Sequence, residues 1–255
     1  MDDKKMKEQI TSSWNKSSAN YDNCYAHGMK SDREKVEWLK LMDSVIDKKD
    51  AKILDVGAGT GFLSLLMAEL GHDCTGLDLS ENMLSVAKEK AEKAGYSNVV
   101  FEIGDAENTC KESRCYDFVT NRHLMWTLPH PRKALRDWKR VLKPGGKLVI
   151  IEGNWFYEGP LDKIQVFLGK CLLSVKEHRN AFAKHGSYEK EIRDALPMTK
   201  SKNARRLAEM VKEAGFSHIL VFEPEGVDKA EKAAMPFITR LLNPHKRLVV
   251  IGIKE

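Results

Sequence analysis

The stretch Lys52-Ile53-Leu54-Asp55-Val56-Gly57-Ala58-Gly59-Thr60-Gly61 decides the fold. An apolar run of strand length ends in glycines at alternate positions. Glycine adopts positive φ without steric penalty, so the backbone can bend tightly and approach a ligand with no Cβ in the way. A turn of this kind at the carboxyl end of a strand is where open α/β sheets bind ligands. The dinucleotide fingerprint G-x-G-x-x-G would need a glycine at 62, where Phe62 stands. The spacing is G-x-G-x-G behind the acidic Asp55.

Outward from this turn the chain alternates. The pattern predicts a helix from about Gly61 to Leu70, closed by Gly71 as a C′ glycine. A strand follows over Cys74–Leu79, then a helix over Glu81–Lys93 with Ser80 as N-cap. Further strands are read at Val99–Ile103 and Tyr116–Thr120, a helix at Pro131–Val141, and a strand at Lys147–Ile151 after the Pro144-Gly145-Gly146 turn. Strands alternating with helices imply a mostly parallel sheet covered on both faces, a Rossmann-like α/β fold. Upstream, Val36, Leu39, Leu41, Val45 and Ile46 suit the inner side of an amphipathic helix. Before it runs a polar stretch carrying Trp14, Tyr21 and Tyr25, read as a loop or short helix that closes over something. After Glu152 the alternation stops until a helix at Ala204–Ala214 and strands at Ile219–Phe222 and Arg247–Ile253. The division expected is an N-terminal helical lid segment (1–50), a core (51–153), a helical insertion forming the substrate pocket (154–203) and a completion of the core sheet (204–255).

Two acids follow the glycine turn in register. Asp78 ends the second strand, where a carboxylate can accept both hydroxyls of a ribose. Asp105, in Gly104-Asp105-Ala106-Glu107, follows the third strand and can accept from an adenine amino group.

With these residues, together with Leu77-Asp78-Leu79-Ser80, Met83-Leu84 and Val141-Leu142-Lys143-Pro144-Gly145-Gly146, the chain resembles the class I S-adenosylmethionine (SAM)-dependent methyltransferases. The resemblance is to the small-molecule type that includes the ubiquinone/menaquinone-biosynthesis family, and covers roughly residues 14 to 152. It implies a seven-stranded sheet with an antiparallel last strand, helices on both faces, and SAM as cofactor. It also implies that Asp55, Gly57, Ala58, Gly59 and Gly61 hold the methionine portion. Asp78 with Leu79 and Met83 would hold the ribose, and Asp105 with Ala106 the adenine. Trp14 and Tyr21-Asp22 occupy the place of a segment that caps the cofactor in similar proteins.

The fourth strand is more individual: Asn121-Arg122-His123-Leu124-Met125-Trp126. The Asn/Asp-Pro-Pro-aromatic sequence of nucleic-acid amine methylation is absent. Methyl transfer from a sulfonium is an in-line displacement to which alignment contributes much of the gain. A base is needed only if the nucleophile holds a proton, and His123 has the titration range for it. Asn121 is expected to touch SAM. Arg122, whose planar fork suits an anion, and Trp126 and Trp155 are expected to contact substrate. The insertion adds Phe156, Tyr157, His178, Arg179, Phe182, His185 and Tyr188 as pocket material. The stripe Phe167-Leu168/Cys171-Leu172 reads as helix core.

Gross composition agrees. The 255 residues carry a net charge of +5, with both signs mixed along the chain and no concentrated basic stripe, which disfavours a nucleic-acid partner. The five cysteines form no disulfide framework, and Cys110 and Cys115 have no second half that would complete a zinc site. No metal is expected. Neither a secretory signal nor a membrane span is read, so a cytoplasmic location is expected. The oligomeric state is not encoded legibly. RNA or protein methylation and a non-catalytic SAM-binding regulator are the alternative readings, with a dehydrogenase disfavoured by Phe62.

Overall fold

The computed structural model describes residues 2–153, 160–177, 190–200, 204–244 and 246–255. The chain begins with α1 (Asp3–Tyr21) and α2 (Asp32–Val45). Then come β1 (Lys52–Val56), α3 (Phe62–Glu69), β2 (Asp73–Asp78), α4 (Glu81–Ala94), β3 (Val99–Ile103) and β4 (Tyr116–Arg122). A single 3-10 turn, Met125–Thr127, leads to α5 (Pro131–Val141) and β5 (Leu142–Gly153). Three helices follow, α6 (Pro160–Glu177), α7 (Lys190–Ala195) and α8 (Pro197–Lys200). The chain closes with α9 (Ala204–Glu213), β6 (Ser217–Phe222), α10 (Glu225–Ala234), α11 (Phe237–Leu242) and β7 (Arg247–Ile253).

The strands form one seven-stranded sheet in the order β3-β2-β1-β4-β5-β7-β6. β1 pairs in parallel with both β2 and β4, while β7 runs antiparallel to β5 and β6. Chain order reverses between β1 and β4, which opens a crevice beyond their carboxyl ends. Neighbouring strand residues bury on opposite faces. Ile53 joins Trp38, Met42 and Met67 in one core, and Leu54 joins Val119, Trp138 and Leu148 in the other. Both faces are covered, so after the exposed Lys52 β1 is buried throughout and apolar except at Asp55.

Local signals set the boundaries. The Ser80 hydroxyl accepts from the Met83 N–H at 3.2 Å and starts α4. Gly71, at φ +87°, turns the chain out of α3. β4 runs two residues past its expected end, so Asn121 and Arg122 lie on the strand. β5 is also longer than expected. Its Pro144-Gly145-Gly146 bend is held as an irregularity inside the strand by bonds exchanged between Gly145, Gly146 and Lys254.

Three expectations need correction. The polar, aromatic N-terminal stretch is a 19-residue helix, not a loop or short helix. It is too polar to form a core face, and its polar side chains are spent on the edge of the sheet. Val36 is 47% exposed, because α2 turns Trp38, Leu41, Met42 and Val45 inward at helical spacing and leaves Val36 outside. Phe167, Leu168 and Leu172 are exposed, not core. α6 packs its opposite side, at Val166 and Gly169, and a Cβ on Gly169 would come within 3.0 Å of Leu242 of α11. Helices α10 and α11 had no counterpart in the sequence reading. Trp155 and the rest of the aromatic and basic set at 156–157, 178–179, 182, 185 and 188 lie outside the described residues.

A buried ion cluster locks β7 to α10. The Arg247 guanidinium lies 2.8 Å from Asp228 and 2.5 Å from Glu231, and stands 5.5 Å from the centre of the Trp38 ring. Replacing Arg247 by Met would leave two carboxylates inside without a cation, an arrangement that costs about 3–5 kcal/mol. Urea unfolding of Arg247→Met at neutral pH is expected to show a loss of that size; a loss below about 1 kcal/mol, the scale of a surface pair, would contradict the assignment.

Candidate active site

Gly57, Gly59 and Gly61 adopt φ of +69°, +55° and +80°. The Gly57 and Ala58 N–H groups both donate to the Leu77 carbonyl, at 2.7 and 3.0 Å. The Gly59 N–H donates to Asp78 Oδ2 at 2.9 Å, and the Ser80 N–H to Oδ1 at 2.8 Å. The turn after β1 and the carboxylate ending β2 are therefore one hydrogen-bonded unit. Burial raises the Asp78 pKa above its ordinary value, opposed by those backbone donors. A carboxylate has about four acceptor positions, more than these backbone donors fill, so capacity remains for a ligand.

Three adjoining compartments run along the carboxyl edge, with empty volumes of about 530, 380 and 290 Å³, and Gly57 borders all of them. The largest lies between α1 and the ends of β2 and β3, and is lined by Asp78, Leu79, Asp105 and Ala106 together with Ile10 and Trp14. The middle one is bordered by Tyr21, Asp78, Met83, Arg122 and His123. The third, over the glycine turn, is bordered by Tyr21, Asp55, Ala58, Gly59 and Arg122. Mostly apolar walls with a few convergent polar groups suit a small organic ligand.

α1 is strapped across this edge by three polar ties. Lys7 lies 2.7 Å from Asp105 and 2.6 Å from Glu107. Burial would lower the Lys7 pKa, but the two carboxylates overcome it and hold the ammonium above its ordinary value. Farther along, Asn15 accepts from the Ser80 hydroxyl at 2.6 Å. Asp22, just past the helix, accepts from the Thr60 hydroxyl at 2.7 Å and pairs with Lys90 at 2.9 Å.

Most of the residues expected at the site therefore converge, and a few stand apart. Gly61 faces Ala87 and Phe101, and its role is close packing. Asp55 borders the third compartment, yet its oxygens accept from Ser64 and Thr120. Burial, only partly offset by those bonds, raises its pKa to about 6. Asn121 is fully buried and borders none of the three compartments. Trp126 borders none of them either; it meets Trp14 edge-on at 6.1 Å beside the Met6, Ile10, Ile192 and Leu196 cluster. His123 sits at φ +57° with its N–H bonded to the Ile151 carbonyl at 2.9 Å, and its ring lies 5.8 Å from His27.

Sequence reasoning missed Lys7, Leu124 and Glu152. Lys7 stood in a charged terminus that resembled a solvated face. Glu152, at the end of β5, accepts from the Met125 N–H at 2.7 Å and so anchors the segment that carries Leu124 to the ligand edge. An acid inside a strand-end apolar run was the only available signal. Burial raises the Glu152 pKa from 4.5 to about 8, against the backbone donors. The unfolded chain loses this proton near its ordinary pKa while the fold retains it, so the residue's contribution to stability falls as pH rises from 4.5 to about 8. Glu152→Gln keeps an acceptor and cannot ionise. Its melting temperature relative to the parent is expected to climb across that window and level off above it; a constant difference would show that Glu152 titrates normally.

The comparisons with known proteins agree with this geometry. Residues 47–215 match the family described as "Methyltransferase domain". The demethylmenaquinone methyltransferase of Listeria monocytogenes is 33% identical over 205 residues, covering 75% of this chain and 81% of that protein. The ubiquinone biosynthesis O-methyltransferase of Coxiella burnetii is 36% identical over 110 residues, 43% of this chain and 47% of its own length. The solved phosphoethanolamine N-methyltransferase 2 of Haemonchus contortus, in complex with SAM, superposes with a TM-score of 0.59 at 20% identity. That alignment covers 94% of this chain and 57% of the longer enzyme, and establishes a shared fold. The chain belongs to the class I SAM-dependent methyltransferases of the small-molecule type.

Proposed function

We propose that this enzyme methylates a planar, aromatic small molecule in the cytoplasm, with the acceptor entering beside His123. The observation that carries this reading is a chain of ring contacts, in which Trp14, Tyr21 and His123 border the middle compartment and Trp126 and His27 back them from behind. Trp14 meets Tyr21 at 5.8 Å and Trp126 at 6.1 Å, Tyr21 lies 4.4 Å from His27, and His27 meets His123 at 5.8 Å. Edge and tilted ring contacts of this kind favour another aromatic group among them. Two relatives named for demethylmenaquinone and for ubiquinone biosynthesis support the same class of acceptor.

The roles assigned to the residues follow from their places. Asp78 holds the ribose hydroxyls, with Leu79 and Met83 as walls. Asp105 and Ala106 face the adenine, and Gly57, Ala58 and Gly59 the methionine portion, beneath Tyr21. SAM supplies a methyl group on a sulfonium whose leaving group is a neutral thioether. His123 takes the proton from an acceptor hydroxyl as the new oxygen–carbon bond forms, so no oxyanion accumulates. The chain of rings excludes water and fixes the acceptor's approach.

Isothermal titration with S-adenosylhomocysteine tests the cofactor placement. The parent is expected to bind, and Asp78→Asn to bind about 10- to 100-fold more weakly, the scale of a lost charge-assisted hydrogen bond. Unchanged affinity in the variant would contradict the ribose assignment. With a soluble hydroquinone as acceptor, His123→Ala is expected to lower turnover by about 10²–10⁴ while retaining cofactor affinity. Equal loss of both would assign His123 to binding or folding.

A further inference from the structure

Arg122 carries a half-buried charge whose contacts are rings and backbone carbonyls. Its guanidinium stacks 3.5 Å from the centre of the Phe62 ring and stands 5.6 Å from that of Trp38. Two of its N–H groups donate to the Ala26 and His27 carbonyls, at 3.3 and 2.5 Å. Among the described residues no carboxylate lies within ion-pair distance of it. Desolvation pulls its pKa down to about 10, with Arg247 repelling it and Tyr21, Glu231 and Asp55 attracting it only at longer range. A cation drawn partly out of water gains from an anionic partner, because its lost hydration is otherwise uncompensated. A fixed guanidinium has five donors, and the two carbonyls use only part of that fork.

The open direction identifies the partner. Arg122 borders the compartment over the glycine turn, together with Tyr21, Gly57, Gly59 and Thr60, and the middle compartment beside His123. The chain of rings and His123 lie on the acceptor side, whereas the glycine turn is the other wall of the smallest compartment. A ligand group lodged there must be small and anionic. The cofactor ends in such a group, an α-carboxylate one short chain away from the sulfur.

The geometry points to Arg122 as the residue that binds the methionine carboxylate of SAM, and not an anion on the acceptor. This rests on the cofactor placement proposed above and extends it to the amino-acid end. Phe62 and Trp38 hold the fork flat, and the Ala26 and His27 carbonyls anchor one edge of it. The segment between α1 and α2 is thereby tied to the same charge, so cofactor binding and closure of this segment share one side chain.

Removing one group from the ligand tests this without relying on turnover. Titrations with SAM and with decarboxylated SAM, which differ only by the carboxylate, are compared in the parent, Arg122→Gln and Arg122→Lys. The parent is expected to prefer SAM by about 10- to 100-fold, the range for hydrogen bonds to a charged group. Arg122→Gln is expected to lose that preference by weakening SAM alone, with decarboxylated SAM bound as in the parent, and Arg122→Lys to fall between. A preference that survives in Arg122→Gln, or equal weakening of both ligands, would overturn the proposal. Should the Gln variant fail to fold, the absence of any preference in the parent would still overturn it. A parent that binds neither ligand would overturn the cofactor placement, and this inference with it.

Discussion

The turn after β1 is the constraint on which the rest of the site depends. Gly57 and Ala58 place their N–H groups on one carbonyl of β2, and Gly59 places its own on the Asp78 carboxylate. This is possible only with positive φ at Gly57 and Gly59, which other residues rarely adopt. The third side of the unit is the segment after β4. A Cβ on Gly57 would stand 2.7 Å from the Leu124 side chain, so the turn and that segment share their shape. Glu152 in turn holds the segment in place from β5. The ligand edge is thus built by four adjacent parallel strands, each correcting the position of the next.

α1 adds the fourth wall. It is too polar to fold onto the sheet through apolar burial alone, and Met6 and Ile10 are its only buried residues. Ties at Lys7, Asn15 and Asp22 reach the ends of β3, β2 and β1 in turn. Charge is distributed unevenly under this strap. Asp105 is matched by Lys7, whereas the positive charge of Arg122, at the other end of the trough, faces carbonyls and rings. A zwitterionic ligand with its carboxylate at the Arg122 end suits that asymmetry.

Much of the core was legible because its signals are local. The glycine turn, the Ser80 cap and the strand-end acids Asp78 and Asp105 each depend on a few neighbouring residues, and all were found where their types require. The N-terminal helix was not legible, since its polar residues bond to groups 65 to 127 positions away and no periodicity records such partners. Glu152 and Arg122 sit at strand ends whose burial is set by crossing elements, so sequence gave their chemistry without their surroundings. The exposed stripe on α6 failed for the opposite reason: an apolar pattern predicts a buried face, and α11 covers a different one.

A crystal structure with S-adenosylhomocysteine bound tests the central claim most directly. The account requires the ribose hydroxyls within hydrogen-bond distance of Asp78 and the sulfur beside Gly57. Ligand density in another cavity, or a ribose turned away from Asp78, would contradict it.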